Sequence, residues 1–482
     1  MIRNQFFIFI FCFGFIYSSG SFNYGGKVNY YYISRFLDQE VLNLPFRLFN
    51  FNFQYSKDAV DVNADFALEF LLKDDTFYLE NNNSQDFTPD MREMFITWYS
   101  NSGELSIGKK IHSWGNADEN SPLDVVSPID YLYLFESGAD RKIGIYSLSF
   151  DGFVGDGFKY GFVLSPLHNT HRLPRGYKDF PIQVPLPNAY RIMEVPKSHP
   201  EFGAYLQQSF DLADIRFSYF TGYDRTFSFT GLNLFTESEV SDNPTELDTV
   251  YSYRKTQVLG FGTTILTDYI TIRADLAMFE TNDPYSDISR ENPQPWLYSE
   301  ILGGYVEGVP NELGHVFVTY PWSQSANYSQ ATIQLEAALS GDATILLQYF
   351  YHKLNDYSSS SPLEIYIPQE DATIIINPED YFFPGLGSSL AILTSNAVTL
   401  NLDYKIDGFN SLSLSGLYDI NKYGRLFSLE YTRNILSGFD FKLGVTKIIG
   451  NDNAPLDNLG QEYRFNAMED FSHLRMQFYY AF

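Results

Sequence analysis

The final stretch of the chain constrains the fold most. From Leu474 onward, Leu474, Met476, Phe478, Tyr480 and Phe482 fall on one side of an extended strand, and Arg475, Gln477, Tyr479 and Ala481 on the other. A strand of about ten residues, apolar on one face and polar on the other, is what a tilted membrane-spanning β-strand requires. The pattern recurs upstream: Ile270, Ile272, Leu276 and Met278 alternate with Thr271, Arg273 and Asp275; Ile333, Leu335 and Leu339 bracket Gln334 and Glu336; Val398, Leu400, Leu402 and Tyr404 alternate with Thr399, Asn401, Asp403 and Lys405. No apolar stretch after residue 20 is long enough for a spanning helix. Lipid cannot satisfy the backbone of an open sheet, so a membrane protein of this kind must close into a barrel. A charge on the lipid face at mid-bilayer costs roughly 2–4 kcal/mol, which assigns Arg273, Asp275, Glu336 and Asp403 to the lumen. A soluble β-sandwich shows the same alternation, but leaves both chain ends unexplained.

At the N-terminus, Arg3 precedes a Phe- and Ile-rich run to Tyr17, followed by Ser18, Ser19 and Gly20. This reads as a secretory signal peptide over 1–20, with the mature chain at 21–482. Cys12, the sole cysteine, lies inside it, so the mature chain is expected to carry no disulfide and no cysteine metal site. A formal charge of −27 argues against nucleic-acid binding. The seven histidines sit in no nucleophile motif such as Gly-x-Ser-x-Gly, which argues against an enzyme, and no cofactor is implied.

About eighteen candidate strands follow one another, joined alternately by short and long connections. The short ones are turns at 56–59, 101–102, 340–342, 407–410 and 437–438; the long ones lie near 74–90, 111–139, 167–200, 224–255, 281–326, 354–390 and 449–471. The expected fold is all-β: a transmembrane antiparallel β-barrel of about 16–18 strands, with short periplasmic turns, long extracellular loops and one domain. The terminal Phe482 resembles the closing-strand aromatic of bacterial outer-membrane barrels, which implies the barrel assembly machinery as a partner and the outer membrane as the location.

With Asn101 and Ser102 as turn residues, the hairpin 91–111 places Glu93 opposite Lys110 on the lumen face, where an ion pair is expected to fix the base of the third long loop. That loop carries the richest motif of the chain, Gly108-Lys109-Lys110-Ile111-His112-Ser113-Trp114-Gly115-Asn116-Ala117-Asp118, then Asp124-Val125-Val126-Ser127-Pro128-Ile129-Asp130. Together with Arg92-Glu93, it resembles a proteobacterial family of outer-membrane barrels of unknown function, related to alginate-export-type porins. Lys110 stands where that family usually has Gln, and Ser127 where Asn often precedes the proline. The resemblance implies a porin-like channel.

Composition suits this loop to the barrel interior. Pro122 and Pro128 stiffen it, and Leu123, Val125, Val126, Ile129 and the run from Tyr131 to Phe135 need a dry environment. Folded inward, it is expected to bring Trp114, Asp118, Glu119, Asp124 and Asp130 to the pore axis as an acidic constriction. The competing reading has Asp118 and Asp124 capping turns and Trp114 packing on the wall. Other motifs are weaker. His168 and His171 lack a third metal ligand, and Asp452, Asn453, Asp457 and Asn458 lack the spacing of a calcium loop. The function expected is passive passage of small polar solutes by a monomer or homo-trimer in contact with membrane lipid and lipopolysaccharide. The alternative is an exporter of lipid, hydrocarbon or polysaccharide working with an inner-membrane permease.

Overall fold

The computed structural model describes residues 20–482, apart from 72–86, 134–135, 137, 175–178, 183–186, 188–190, 194–198, 237–243, 292–296, 300–303, 307–314, 368–371 and 457–460. The expected signal peptide therefore lies outside the described residues. So do Leu134 and Phe135 of the third loop and Asp457 and Asn458.

Eighteen antiparallel strands form one sheet: Ser21–Arg35, Phe46–Lys57, Val60–Phe70, Phe87–Ser100, Gly103–Lys110, Ile145–Val154, Phe158–Ser165, Glu201–Ser209, Ala213–Tyr223, Lys255–Leu266, Ile270–Asn282, Ser325–Ser340, Ala343–Ser358, Asn396–Lys405, Asn410–Asp419, Arg425–Leu436, Phe439–Ile449 and His473–Ala481. Each pairs with its successor, and the last pairs with the first, from Lys27 opposite Ala481 to Arg35 opposite His473. Closure leaves no sheet edge, the condition lipid imposes. Gly26 and Phe482 exchange two backbone hydrogen bonds at 3.0 Å, and the Phe482 ring stacks on Phe49 across the seam, with centroids 6.2 Å apart.

The alternation sorts side chains between lipid and lumen. Leu276, Met278, Ile333, Leu335, Tyr404, Leu429, Val445, Phe478 and Tyr480 are exposed on the outer surface, although large and apolar. Their neighbours Asp275, Gln334 and Gln348 are buried inside. An apolar outer band on a closed antiparallel sheet makes this a transmembrane β-barrel of the outer-membrane type.

Connections alternate as expected, with one exception: 420–424 is short although it lies on the long-loop rim. The sixth strand begins at Ile145 instead of the expected 139, because Gly138–Arg141 turns as a 3-10 helix whose cation and carboxylate point into the lumen. The loops also hold strands that period-2 reading did not separate from coil. Ser228–Thr236 pairs with Pro244–Ser252 and His315–Pro321, and Leu363–Ile367 pairs with Ala372–Ile376.

Candidate functional site: the inward loop and the gap beside it

Loop 111–144 crosses the barrel interior and is fastened to three regions of wall. Its first attachment depends on a β-bulge. Asp65 pairs with Glu93 and Phe66 with Met91, so Arg92 is an extra residue and both Arg92 and Glu93 turn to the lumen. Arg92 donates to Asp65 (2.9 Å), Asp140 (3.0 Å) and the carbonyl of Ala139 (2.6 Å). Lys27 reaches Asp140 at 2.9 Å, and Arg47 stacks 3.8 Å from the Tyr133 ring. Glu93 accepts from the Ile111 backbone N–H at 2.6 Å, while Lys110 donates to Ser106 at 3.1 Å. The expected Glu93–Lys110 ion pair is thus replaced: among the described residues neither forms a salt bridge, because the loop's first N–H takes the carboxylate.

The second attachment is made by glycines. The Trp114 ring lies over Gly203, where a β-carbon would come within 2.4 Å of it, and meets Tyr205 edge-on at 5.7 Å. Leu123 fills the space left by Gly260 and Gly262 on the next-but-one strand. The third is the far wall. Asp275, fully buried, accepts the N–H groups of Asn116 and Ala117 at 2.8 Å each. Gln334 accepts the Asp118 N–H and donates to its carboxylate, both at 2.8 Å, and Gln348 accepts from Asn120 at 2.9 Å. Arg273 pairs with Glu336 at 2.6 Å and reaches Asp118 at 3.3 Å.

Inside the loop, Asp124 accepts the N–H groups of Trp114 (2.8 Å) and Gly115 (3.0 Å) and pairs with Lys142 at 2.7 Å. Burial pushes this carboxylate up, but Lys142 and the two N–H donors outweigh it and hold it below the usual range. Asp130 is buried, 3.2 Å from Arg172, which in turn forks onto Glu69 at 2.6 and 2.8 Å. Burial raises Asp130 to about 6, with Arg172 and Arg47 only partly offsetting it. His171, from the proline-rich connection 166–200, accepts the Ile129 N–H at 2.8 Å, so that connection clamps the loop from above.

Of the five loop residues expected at the axis, Trp114 and Asp130 are buried and Asp124 is half-buried, all three engaged in anchoring, and Asp118 faces the Arg273–Glu336 pair. Glu119 differs. Held at φ +67°, it is exposed to the lumen, yet enclosed by the barrel; that enclosure and Asp118 raise its carboxyl, while Arg141 lowers it.

Among the described residues the loop makes no hydrogen bond to the wall formed by the last five strands, although Ile129, Tyr131, Leu132 and Tyr133 share an apolar core with Ile448 and Phe471 near the rim. There a cavity of about 430 Å³ lies between Glu119, Leu132, Tyr133 and Glu136 on the loop and Ser413, Ser415, Ser428, Glu430, Thr446 and Arg475 on the wall. Glu136 accepts from Tyr31 at 2.7 Å. Glu430 accepts from Lys442 at 3.2 Å and also pairs with Arg475. Asp403 accepts from Ser413 at 2.5 Å on the same wall. Sequence reasoning placed Arg475 on the polar face of its strand but passed over Glu136 and Glu430; strand parity, with Ser413 and Ser415 alternating with Leu412 and Leu414, was the signal available for the wall residues.

No family model matches the chain, and no curated protein matches it. Among solved structures it is similar to the outer membrane protein OpdK of Pseudomonas aeruginosa, with 10% identity, 96% of this chain and 99% of that chain covered, and a TM-score of 0.45. It is also similar to OccK2 (OpdF) of the same organism in complex with glucuronate, with 9% identity, 96% and 98% covered, and a TM-score of 0.47. A third similarity is to OmpT of Vibrio cholerae, with 10% identity, 96% and 98% covered, and a TM-score of 0.40. The alginate-export resemblance remains a reading of the 92–130 motif alone.

Proposed function

We propose that this barrel is a porin-like channel of the outer membrane through which small polar solutes diffuse passively, with loop 111–144 narrowing the lumen. The observation that carries the reading is the one-sided placement of that loop. It is bonded to the walls of the first four strands and of the strands from 201 to 358, and it leaves a gap of about 430 Å³ beside wall residues 413–475, lined by hydroxyls and charges together with apolar residues such as Ile33, Leu44, Leu426 and Phe471. An eighteen-stranded barrel is wide enough to hold water unless something fills it, and here the filling is partial. Ser413, Ser415, Ser428, Thr446, Glu430 and Arg475 on one side and Glu119 and Glu136 on the other offer hydrogen-bond partners, so a polar solute can exchange part of its water for protein groups. Glu119 and Glu136 give the loop side of the gap its acidic character, with Asp118 beside them.

Single-channel conductance in a planar bilayer under a salt gradient tests this. Steady conductance with cation preference is expected, and Glu119→Gln/Glu136→Gln should cut the preference at least by half while leaving the open channel intact. A correctly folded barrel that conducts no ions would sink the proposal.

A further inference from the structure

The outer surface carries a cation pair that neither the channel reading nor any internal contact employs. Arg425 and Lys447 are exposed on the lipid-facing side of adjacent strands at the long-loop rim. In the register, Lys447 faces Phe427, and Arg425 faces Ile449 and, on its other side, Tyr418, so the two cations are diagonal neighbours one step apart. Among the described residues neither has a salt-bridge partner, and Arg425 only lies 5.8 Å from the Tyr418 ring. Like charges this close on one sheet face repel, and a chain with a formal charge of −27 has carboxylates in abundance to separate them. Among the described residues, no carboxylate stands opposite or diagonal to either cation on these strands.

Their height matters as much as their charge. Immediately below them the outward residues become apolar, with Phe427 and Leu429 on one strand and Val445 on the other, all exposed. The pair therefore stands where the apolar band ends, at headgroup level on the side of the long loops. Beside Phe427 the outward position on the neighbouring strand is Gly416, which has no side chain and lies against the Phe427 ring, with Leu414 as the next outward residue below it. The connection that enters the Arg425 strand, 420–424, is short, while the Lys447 strand leads into the longer connection 450–472.

We infer that Arg425 and Lys447 form a binding site for the phosphate of a phosphorylated glycolipid of the outer leaflet, whose acyl chain lies along Phe427 beside Gly416. An anion between two diagonal cations turns their repulsion into charge-assisted hydrogen bonds, and arginine matches phosphate geometrically. The exposed Phe427, Leu429 and Val445 add apolar contact that a free phosphate cannot use. This site depends on the orientation of the barrel in the membrane and not on conduction, so it stands or falls separately from the channel.

The test is native mass spectrometry of the detergent-solubilised full chain, titrated with bis-phosphorylated lipid A, with dephosphorylated lipid A, and with excess inorganic phosphate as competitor. The wild type should retain bis-phosphorylated lipid A at least tenfold more tightly than the dephosphorylated form. Arg425→Gln/Lys447→Gln should lose that difference, and Arg433→Gln on the opposite rim should keep it. Equal retention of both lipids by the wild type, undiminished binding by the double variant, or displacement of lipid by inorganic phosphate would each overturn the inference. Removing the phosphates from the lipid puts the question to the unmodified chain, so the answer does not depend on the variant folding.

Discussion

His171 reaches loop 111–144 through a bond that only a neutral imidazole can make, accepting the Ile129 N–H on Nδ1. Burial, with Arg225 and His168 nearby, holds it below the ordinary value of 6.5, at about 3. The unfolded chain therefore takes the proton first, and the stability this group contributes is complete above 6.5 and lost as pH falls toward 3. Asp130 acts in the opposite sense: raised from 3.8 to about 6, it is protonated more readily in the folded state and adds stability as pH falls through that interval. Thermal unfolding followed by heat-modified gel migration at pH 7, 5 and 4 should show a shallower acid loss in His171→Gln and a steeper one in Asp130→Asn. At Gly262, a β-carbon would meet the Asn116 amide at 2.5 Å and the Asp275 carboxylate at 2.8 Å, so Gly262→Val should unseat the loop. The expected cost is about 1–3 kcal/mol, read as a lower unfolding temperature together with noisier, larger conductance. Such glycines were visible in the sequence, but a lumen-facing glycine announces a close neighbour without saying which.

Strands and their connections were largely readable because period-2 burial is a local property. Ile270 to Met278 assigns its own faces, and the tight Asn101-Ser102 turn sets the register to Met94 opposite Lys109, as the structure has it. What could not be read was anything requiring two distant segments at once. Asp275 was assigned to the lumen by the cost of the alternative, yet its two N–H partners lie more than 150 residues away, at Asn116 and Ala117. The Arg92 bulge likewise escaped, since an extra residue in a strand leaves the composition unchanged and shows only in the pairing. If Asp275 holds the loop tip, Asp275→Ala strands two buried N–H groups at roughly 1–3 kcal/mol each. Cysteine placed at Asn116 should then react with a small external thiol reagent at least tenfold faster than in the Asp275 parent.

Closure of the whole barrel rests on the seam between the first and last strands, and the terminal residue takes part through its backbone as well as its ring. Phe482 bonds Gly26 in both directions and stacks on Phe49. Phe482→Ala should keep the backbone bonds but lose the ring, lowering the yield of assembled, heat-modifiable barrel several-fold; removing the residue should lower it further. The inward loop has a mechanical consequence as well. Fastened to Lys27, Arg47 and Arg92 on one side and to Asp275, Gln334 and Gln348 on the other, it acts as a strut across the diameter. A cylinder so braced cannot flatten along the strut under lateral pressure from the bilayer. The arc from 396 to 481, held to the loop by apolar packing near the rim and by no hydrogen bond among the described residues, is left as the more compliant part of the circumference, and it is the arc beside which the gap runs. Membrane tension would then act on the width of the gap before it acted on any other dimension of the molecule.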